Sequence, residues 1–354
     1  MRKKTLMLLL CVGILALGAY QGCAKKEVPP EPVAVDQGKL QLFGPLPEAM
    51  PSEANPITEE KVALGRMLYY EPRLSKSQQI SCNTCHMLNK YGVDGEPTSD
   101  GHKGQKGDRN SPTVYNAAGH FTQFWDGRAA DVEEQAKGPV MNPVEMAMPS
   151  EKVVIAVLKS MPDYVDAFKK AFPEDKDPIT LNNMARAIGA FERGLVTPSR
   201  WDKFLRGDKA ALTDEEKAGF NMFVQSGCQT CHQGVLVGGG LFQKLGAAKP
   251  WPDASDTGRE KVTKNEADRM VFKVPSMRNV EKTAPYYHDG RVRTLEQAVS
   301  LMALHQVDEK LTDAQVKSIV AWLKTLTGEI PADYVKEPPL PKSTTKTPKP
   351  DVSD

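Results

Sequence analysis

Two pentapeptides, CNTCH at residues 82–86 and CQTCH at 228–232, constrain this chain more than any other feature. Each sets two thiols three positions apart, the spacing of one helical turn, with a histidine directly after. The pattern fits covalent attachment of a c-type haem. Cys82 and Cys85, or Cys228 and Cys231, form thioethers to two vinyl groups, and His86 or His232 is aimed at the iron. A redox dithiol or half a zinc site shares the Cys-x-x-Cys spacing, but neither requires the histidine twice. Of six cysteines, only Cys11 and Cys23 then remain, too few for a disulfide framework.

Cys11 lies in an uncharged, mostly apolar run from Leu6 to Tyr20, preceded by Arg2, Lys3 and Lys4. That segment reads as an export signal over 1–22, too short to span a bilayer. Cys23 follows the small Gly22 and is a candidate lipidated first residue, although Tyr20 stands where Leu or Val is usual; plain signal cleavage is the alternative. Either way the expected location is the periplasm, with a possible membrane tether. The formal net charge of +1 becomes −2 without the three cations of the signal. No basic field exists to suggest nucleic acid, and no later segment is apolar enough to cross a membrane.

About 330 residues follow the signal, enough for two domains. Residues 23–45 are rich in Pro and charge and read as a tether; 333–354, in a stretch with six prolines in its last 24 positions, read as a disordered tail. The rest is patterned for helices. ITEEKVALGRMLYYE starts at the N-cap Thr58; LTDEEKAGFNMFVQSG pairs Thr213 with Glu216, and LTDAQVKSIVAWLKTL pairs Thr312 with Gln315, at capping-box spacing. No run alternates as a strand would. The expected fold is mainly α.

A second repeat lies outside the haem motifs. PTVYN (112–116) matches PSMRN (275–279), WDGR (125–128) matches HDGR (288–291), and VEEQA (132–136) resembles LEQAV (295–299), always 163 residues apart. This suggests two tandem cytochrome c-like haem domains, 46–195 and 196–332, joined near 193–208, where Gly and Pro interrupt the helical pattern.

The sixth iron ligand decides what such haems do. Methionine favours a high potential and electron transfer; a removable ligand permits chemistry. Met302 is the natural candidate for the C-terminal haem, with Met270 and Met277 as rivals. Its counterpart in the repeat is Pro139, so the N-terminal haem needs another ligand or stays open. The candidates are His102, His120, Met87, Met141, Met146 and Met148, and spacing does not choose among the histidines. His102 sits in a glycine-rich loop, SDGHKGQKGDRNSP (99–112), and is the more movable.

Together the haem motifs, RNSPTVYNAA, FWDGRAADVEEQAKGPVMNPVEM, TAPYYHDGRVRTLEQAV and Met302 resemble the bacterial dihaem cytochrome c peroxidase family over roughly residues 45–330. The resemblance implies a low-potential peroxidatic N-terminal haem and a high-potential C-terminal haem through which electrons arrive. It matches His102 to the distal ligand that leaves on activation, Glu145 to the distal acid–base carboxylate, Gln135 to its polar neighbour and Trp125 to the tryptophan between the haems. It further implies calcium bound by the Asn110 side chain and the carbonyls of Thr283 and Pro285, a homodimer, hydrogen peroxide as substrate, and a small cytochrome c or copper protein as donor. His120 has no role in the pattern and reads as structural or surface. Two other readings are an electron-transfer relay, which has no need of Glu145 and Gln135, and a relative that oxidises protein residues. The latter uses tyrosine where Met302 stands, although Tyr286 and Tyr287 are near.

Overall fold

Side-chain caps and apolar spacing build the fold from short helices in the computed structural model, which describes residues 33–352; the export signal and Cys23 lie outside them. Eight helices of nine residues or more carry the fold among the described residues: α1 Glu59–Tyr70, α2 Val132–Met141, α3 Glu151–Lys159, α4 Pro162–Ala171, α5 Leu181–Glu192, α6 Asp214–Gln225, α7 Leu295–Val307 and α8 Asp313–Lys324. The three expected from capping spacing are present. The Thr58 hydroxyl accepts from Lys61 N, and Thr213/Glu216 and Thr312/Gln315 form reciprocal capping boxes. No strand was expected, yet a two-stranded antiparallel sheet pairs β1 Phe242–Lys244 with β2 Val271–Lys273. Three residues per strand are too few to show alternation. None of the described helices is long and apolar enough to cross a membrane.

The same helix pair is built twice. α1 crosses α5 where a Cβ on Gly65 would lie 1.8 Å from the Ala187 carbonyl oxygen, and α6 crosses α8 where one on Gly219 would lie 2.1 Å from that of Ser318. Only glycine lets the backbones approach so closely. The 163-residue repeat recurs in the backbone as well. Asn116 and Asn279 both adopt a left-handed φ of 61°, and Gln123 bridges Ala129 as Tyr286 bridges Val292. The two asparagines converge, since each donates its Nδ2 to the Thr197 hydroxyl at 2.9 Å. One buried threonine therefore joins the two copies.

Two principal apolar cores accompany this repeat. The first gathers α1, α3, α4 and α5 around Leu68, Tyr164, Phe168 and Phe191 and reaches Leu195. The second packs Trp201, Phe220, Phe223, Trp322 and Leu326, with Trp201 and Trp322 edge to face at 5.4 Å.

Two segments read as unstructured are instead recruited by the opposite half. In the expected tether, Val35 and Phe43 are buried in the second core; Phe43 meets Trp201, Phe220 and Trp322 edge to face. Pro and charge around the LQLFGPL run mask that apolar anchor. In the expected disordered tail, Val335 joins the first core, and Tyr334 stacks on Phe191 at 5.2 Å and donates to its carbonyl. Beyond it, Arg73 donates to the Pro341 carbonyl and Gln78 to that of Pro348. Proline removes donors but leaves carbonyls, and those carbonyls bind the strap to the first half.

Candidate functional site

The turn Cys82–Cys85 is held from both sides. Tyr69 of α1 donates to the His86 carbonyl at 2.7 Å, and Tyr115 donates to that of Leu88 at 2.7 Å. The two thiols and His86 face a cavity of about 540 Å³ whose wall also carries Asn110, His120, Trp125, Gln135, Glu145, Glu192 and Lys273. His86 Nδ1 lies 3.0 Å from the Pro112 carbonyl. A carbonyl only accepts, so Nδ1 carries the proton and Nε2 offers its lone pair. Burial lowers the affinity of His86 for a further proton, against the pull of nearby carbonyls. Burial also pushes the Cys85 thiol up to about 11, and that of Cys82 higher, and no disulfide links them. A redox dithiol needs a lowered pKa, so the pair does not suit that reading.

Glu145 lines the same cavity and also an adjoining cleft of about 340 Å³ with Phe124, Arg128, Gly138 and Asn142. Burial raises its pKa, while a 2.7 Å hydrogen bond from Asn142 and the charge of Arg128 work the other way. A carboxyl raised in this way holds its proton more readily than an exposed one, which suits a group that both takes and returns a proton.

His102 is placed differently from what its loose, polar surroundings imply. The loop is a tight hairpin bridged from Asp100 to Lys106, and His102 is buried at 5% exposure. Its N–H donates to the carbonyls of Val144 and Glu145 at 3.0 and 2.8 Å. A Cβ on Gly101 would lie 1.9 Å from the Val144 oxygen, so this glycine serves close packing. Gly101 and Glu145 are in the cavity wall and His102 is not.

Trp125 joins the halves. Its indole donates to the Asn110 carbonyl at 2.9 Å, its own carbonyl accepts from Lys273 N of β2 at 2.7 Å, and its ring packs on the Trp251, Met270 and Phe272 cluster. Asn110 N donates to the His288 carbonyl at 2.8 Å, and its Nδ2 to Glu96 O at 3.0 Å. Beside them Arg109 bonds Asp126 at 2.7 Å and Asp256 at 2.6 Å. Burial opposes the Asp256 charge, but the Arg109 and Lys261 cations hold its carboxyl well below the usual range. His120, expected to be structural or surface, lines the cavity with its Nδ1 2.8 Å from Lys273 Nζ. Burial, only partly offset by Asp126, pushes Lys273 down to about 7.

The second motif repeats the first. Pro275 is the repeat counterpart of Pro112, and Gly238 backs His232 where a Cβ would lie 2.1 Å from the Pro275 oxygen and 3.2 Å from His232 Nδ1. Burial pushes His232 down to about 4 against the carbonyls of Val237 and Pro275. Met302 is half-buried on α7, a mostly apolar helix that fully buries only Leu295 and Ala303. Of its rivals, Met277 packs on the second core and Met270 lies beside Trp251. The Tyr287 hydroxyl is committed to the Ala298 carbonyl at 2.8 Å.

Comparison with known proteins accounts for this arrangement. A model of the family described as di-haem cytochrome c peroxidase matches residues 59–210. The chain is 47% identical to the cytochrome c551 peroxidase of Pseudomonas aeruginosa over 316 residues, 87% of this chain and 90% of that one. The chain belongs to the di-haem cytochrome c peroxidase family. A second member, the cytochrome c551 peroxidase of Nitrosomonas europaea, is 50% identical over 296 residues, 83% and 87% of the two chains. Among solved structures, a MauG-like protein associated with microbial copper homeostasis shares 30% identity and a TM-score of 0.72, over 83% of this chain and 97% of that one. Membership in the di-haem peroxidase family implies two haem c groups, and the residues fit them. At the first site two unpaired thiols share a cavity wall with a histidine whose tautomer presents Nε2; at the second, Cys228 and Cys231 are likewise unpaired and His232 is buried with Gly238 between it and the Pro275 carbonyl.

Proposed function

We propose that the chain reduces hydrogen peroxide to two waters in the periplasm, with electrons from a small cytochrome c or copper protein. One observation carries this reading: a single cavity collects Cys82, Cys85 and His86 with Trp125, Gln135 and Glu145. Held by Cys82, Cys85 and His86, a haem supplies the peroxide-binding and electron-accepting centre; a second, held by Cys228, Cys231, His232 and Met302, supplies the relay. The protein's own part is proton handling and positioning. Glu145 takes the proton from the near oxygen of peroxide and returns it to the departing one, with Asn142 fixing the carboxyl and Gln135 orienting the substrate. Trp125 sets the packing between the two halves. Among the described residues no cluster of three or more His, Cys, Asp or Glu offers a metal site. A calcium ion would use neutral oxygens, Asn110 Oδ1 with the Thr283 and Pro285 carbonyls, at the seam where Asn110 N meets His288 O. Homodimerisation and a lipid at Cys23 complete the proposal.

His102 is the gate in this reading. Its backbone bonds to the 144–145 segment tie any movement of it to Glu145. The holoprotein, supplied with a reduced small cytochrome, should consume peroxide at the rate at which that cytochrome is oxidised; no consumption counts against the function. His102→Gly should give high-spin ferric haem and turnover without prior reduction. An unchanged low-spin spectrum would remove His102 from the ligand set.

A further inference from the structure

Lys273 is a buried cation for which the reaction as described has no use. Successive side chains of a strand point to opposite faces. On β2, Phe272 packs into the Trp251 and Met270 cluster, and the next side chain, Lys273, lines the cavity of Cys82, Cys85 and His86. Its main chain is fixed at the seam, because its N–H donates to the Trp125 carbonyl at 2.7 Å and its strand pairs with β1. The residue is 6% exposed. Four cationic side chains stand in the cavity wall, and three of them have carboxylate partners. Arg109 holds Asp126 and Asp256, Arg128 holds Asp126, and Lys261 holds Asp256. Lys273 pairs with no carboxylate among the described residues. Its Nζ instead lies 2.8 Å from His120 Nδ1. An ammonium only donates, so Nδ1 accepts and the ring proton sits on Nε2. Burial and the Lys273 charge keep that ring from taking a second proton. The ammonium is thus held in place by a neutral acceptor, with donors to spare and no counter-ion. A buried charge in that condition is costly unless an anion joins it.

Haem brings such an anion. Its propionate carboxylates lie on the ring edge opposite the vinyl groups that Cys82 and Cys85 take up. We propose that Lys273 binds a propionate of the haem held by Cys82, Cys85 and His86, donating from Nζ while His120 Nδ1 orients it. The bond is charge-assisted on both sides, the strong kind. Lys273 belongs to the second half of the chain, so the contact fastens the haem of the first half to the seam that Trp125 crosses. The inference rests on haem binding at this site.

The test is resonance Raman spectroscopy of half-reduced holoprotein, excited at the ferric N-terminal haem, where the propionate bending mode reads hydrogen bonding to the carboxylate. Lys273→Met should move that mode to lower frequency. It should also lower the N-terminal haem potential in a spectroelectrochemical titration, as an unpaired carboxylate favours ferric iron, while the C-terminal haem keeps its own. Lys273→Arg should restore most of the potential yet still displace the mode, because a guanidinium donates from a planar fork. A mode unchanged in Lys273→Met overturns the proposal, whatever the potential does. If Lys273→Met does not assemble, Lys273→Arg decides the matter. A displaced mode supports the proposal, and one identical to the parent's overturns it. A parent protein lacking two thioether-bound haems by pyridine haemochromogen assay would sink the haem reading itself, and the proposal with it.

Discussion

Glu145→Gln is expected to lower peroxide turnover by about 10²- to 10⁴-fold, the usual contribution of a positioned general acid–base, with both haem spectra intact. Glutamine keeps the volume of the side chain and a hydrogen-bonding partner for Asn142, which now stands 2.7 Å from the carboxylate, but it carries no transferable proton. The pH dependence in the parent follows from the same environment. Burial raises the Glu145 pKa against Asn142 and Arg128, so the base form is lost at a higher pH than an exposed carboxylate would require. The acid limb of kcat/KM should therefore lie above the ordinary value of 4.5 for this side chain and vanish in Glu145→Gln. Steady-state peroxide consumption with reduced cytochrome measures both. A variant within a few-fold of the parent would place the proton transfer elsewhere.

Arg278→Met is expected to cost about 3–5 kcal/mol of folding stability, the range for removing one partner of a buried ion pair. Arg278 and Asp202 have no exposed side-chain surface and meet at 2.7 Å. The guanidinium also donates to the Val235 carbonyl at 2.7 Å, close to His232, and Asp202 accepts from the backbone N–H groups of Leu46 and Ser199 at 2.7 Å each. Burial opposes the Asp202 charge, but Arg278 and those amides hold its pKa below the ordinary 3.8. A lowered carboxylate pKa stabilises the fold above the unfolded value and loses that contribution as pH falls through the folded one. In Arg278→Met the uncompensated carboxylate is costly at neutral pH, so the deficit relative to the parent should shrink on acidification as Asp202 takes a proton. Urea unfolding at neutral and mildly acidic pH reads this directly. A loss below about 1 kcal/mol would mean that the pair behaves as an exposed one.

Much of this was legible in the linear chain, for identifiable reasons. Haem attachment needs Cys-x-x-Cys-His in one turn, so those residues stand side by side in the sequence. Capping boxes are equally local, and the 163-residue repeat reappears in the φ values of Asn116 and Asn279. What was hidden depends on distant partners. Pro338, Pro339 and Pro341 signal disorder by composition, and only the fold supplies Arg73 to bind the Pro341 carbonyl. Phe43 gave no helical pattern because it follows the short turn of helix at 37–40 and buries into an aromatic cluster assembled from the distant Trp201, Phe220 and Trp322. His102 looked solvated because its neighbours are polar, yet its backbone is bonded to a segment some forty residues on, Val144 and Glu145. Glu192 and Lys273 drew no notice in sequence, as each is one charged residue in an ordinary context until the cavity gathers them.

The account turns on the cavity around Cys82, Cys85 and His86 as the place where peroxide reacts. The most direct measurement reduces the holoprotein by one electron, so that only the C-terminal haem is ferrous, and adds hydrogen peroxide while both haem spectra are followed. The expected result is rapid change at the N-terminal haem together with oxidation of the C-terminal one, and slow reaction in fully oxidised protein. Reaction confined to the C-terminal haem, or none at either, would contradict the account.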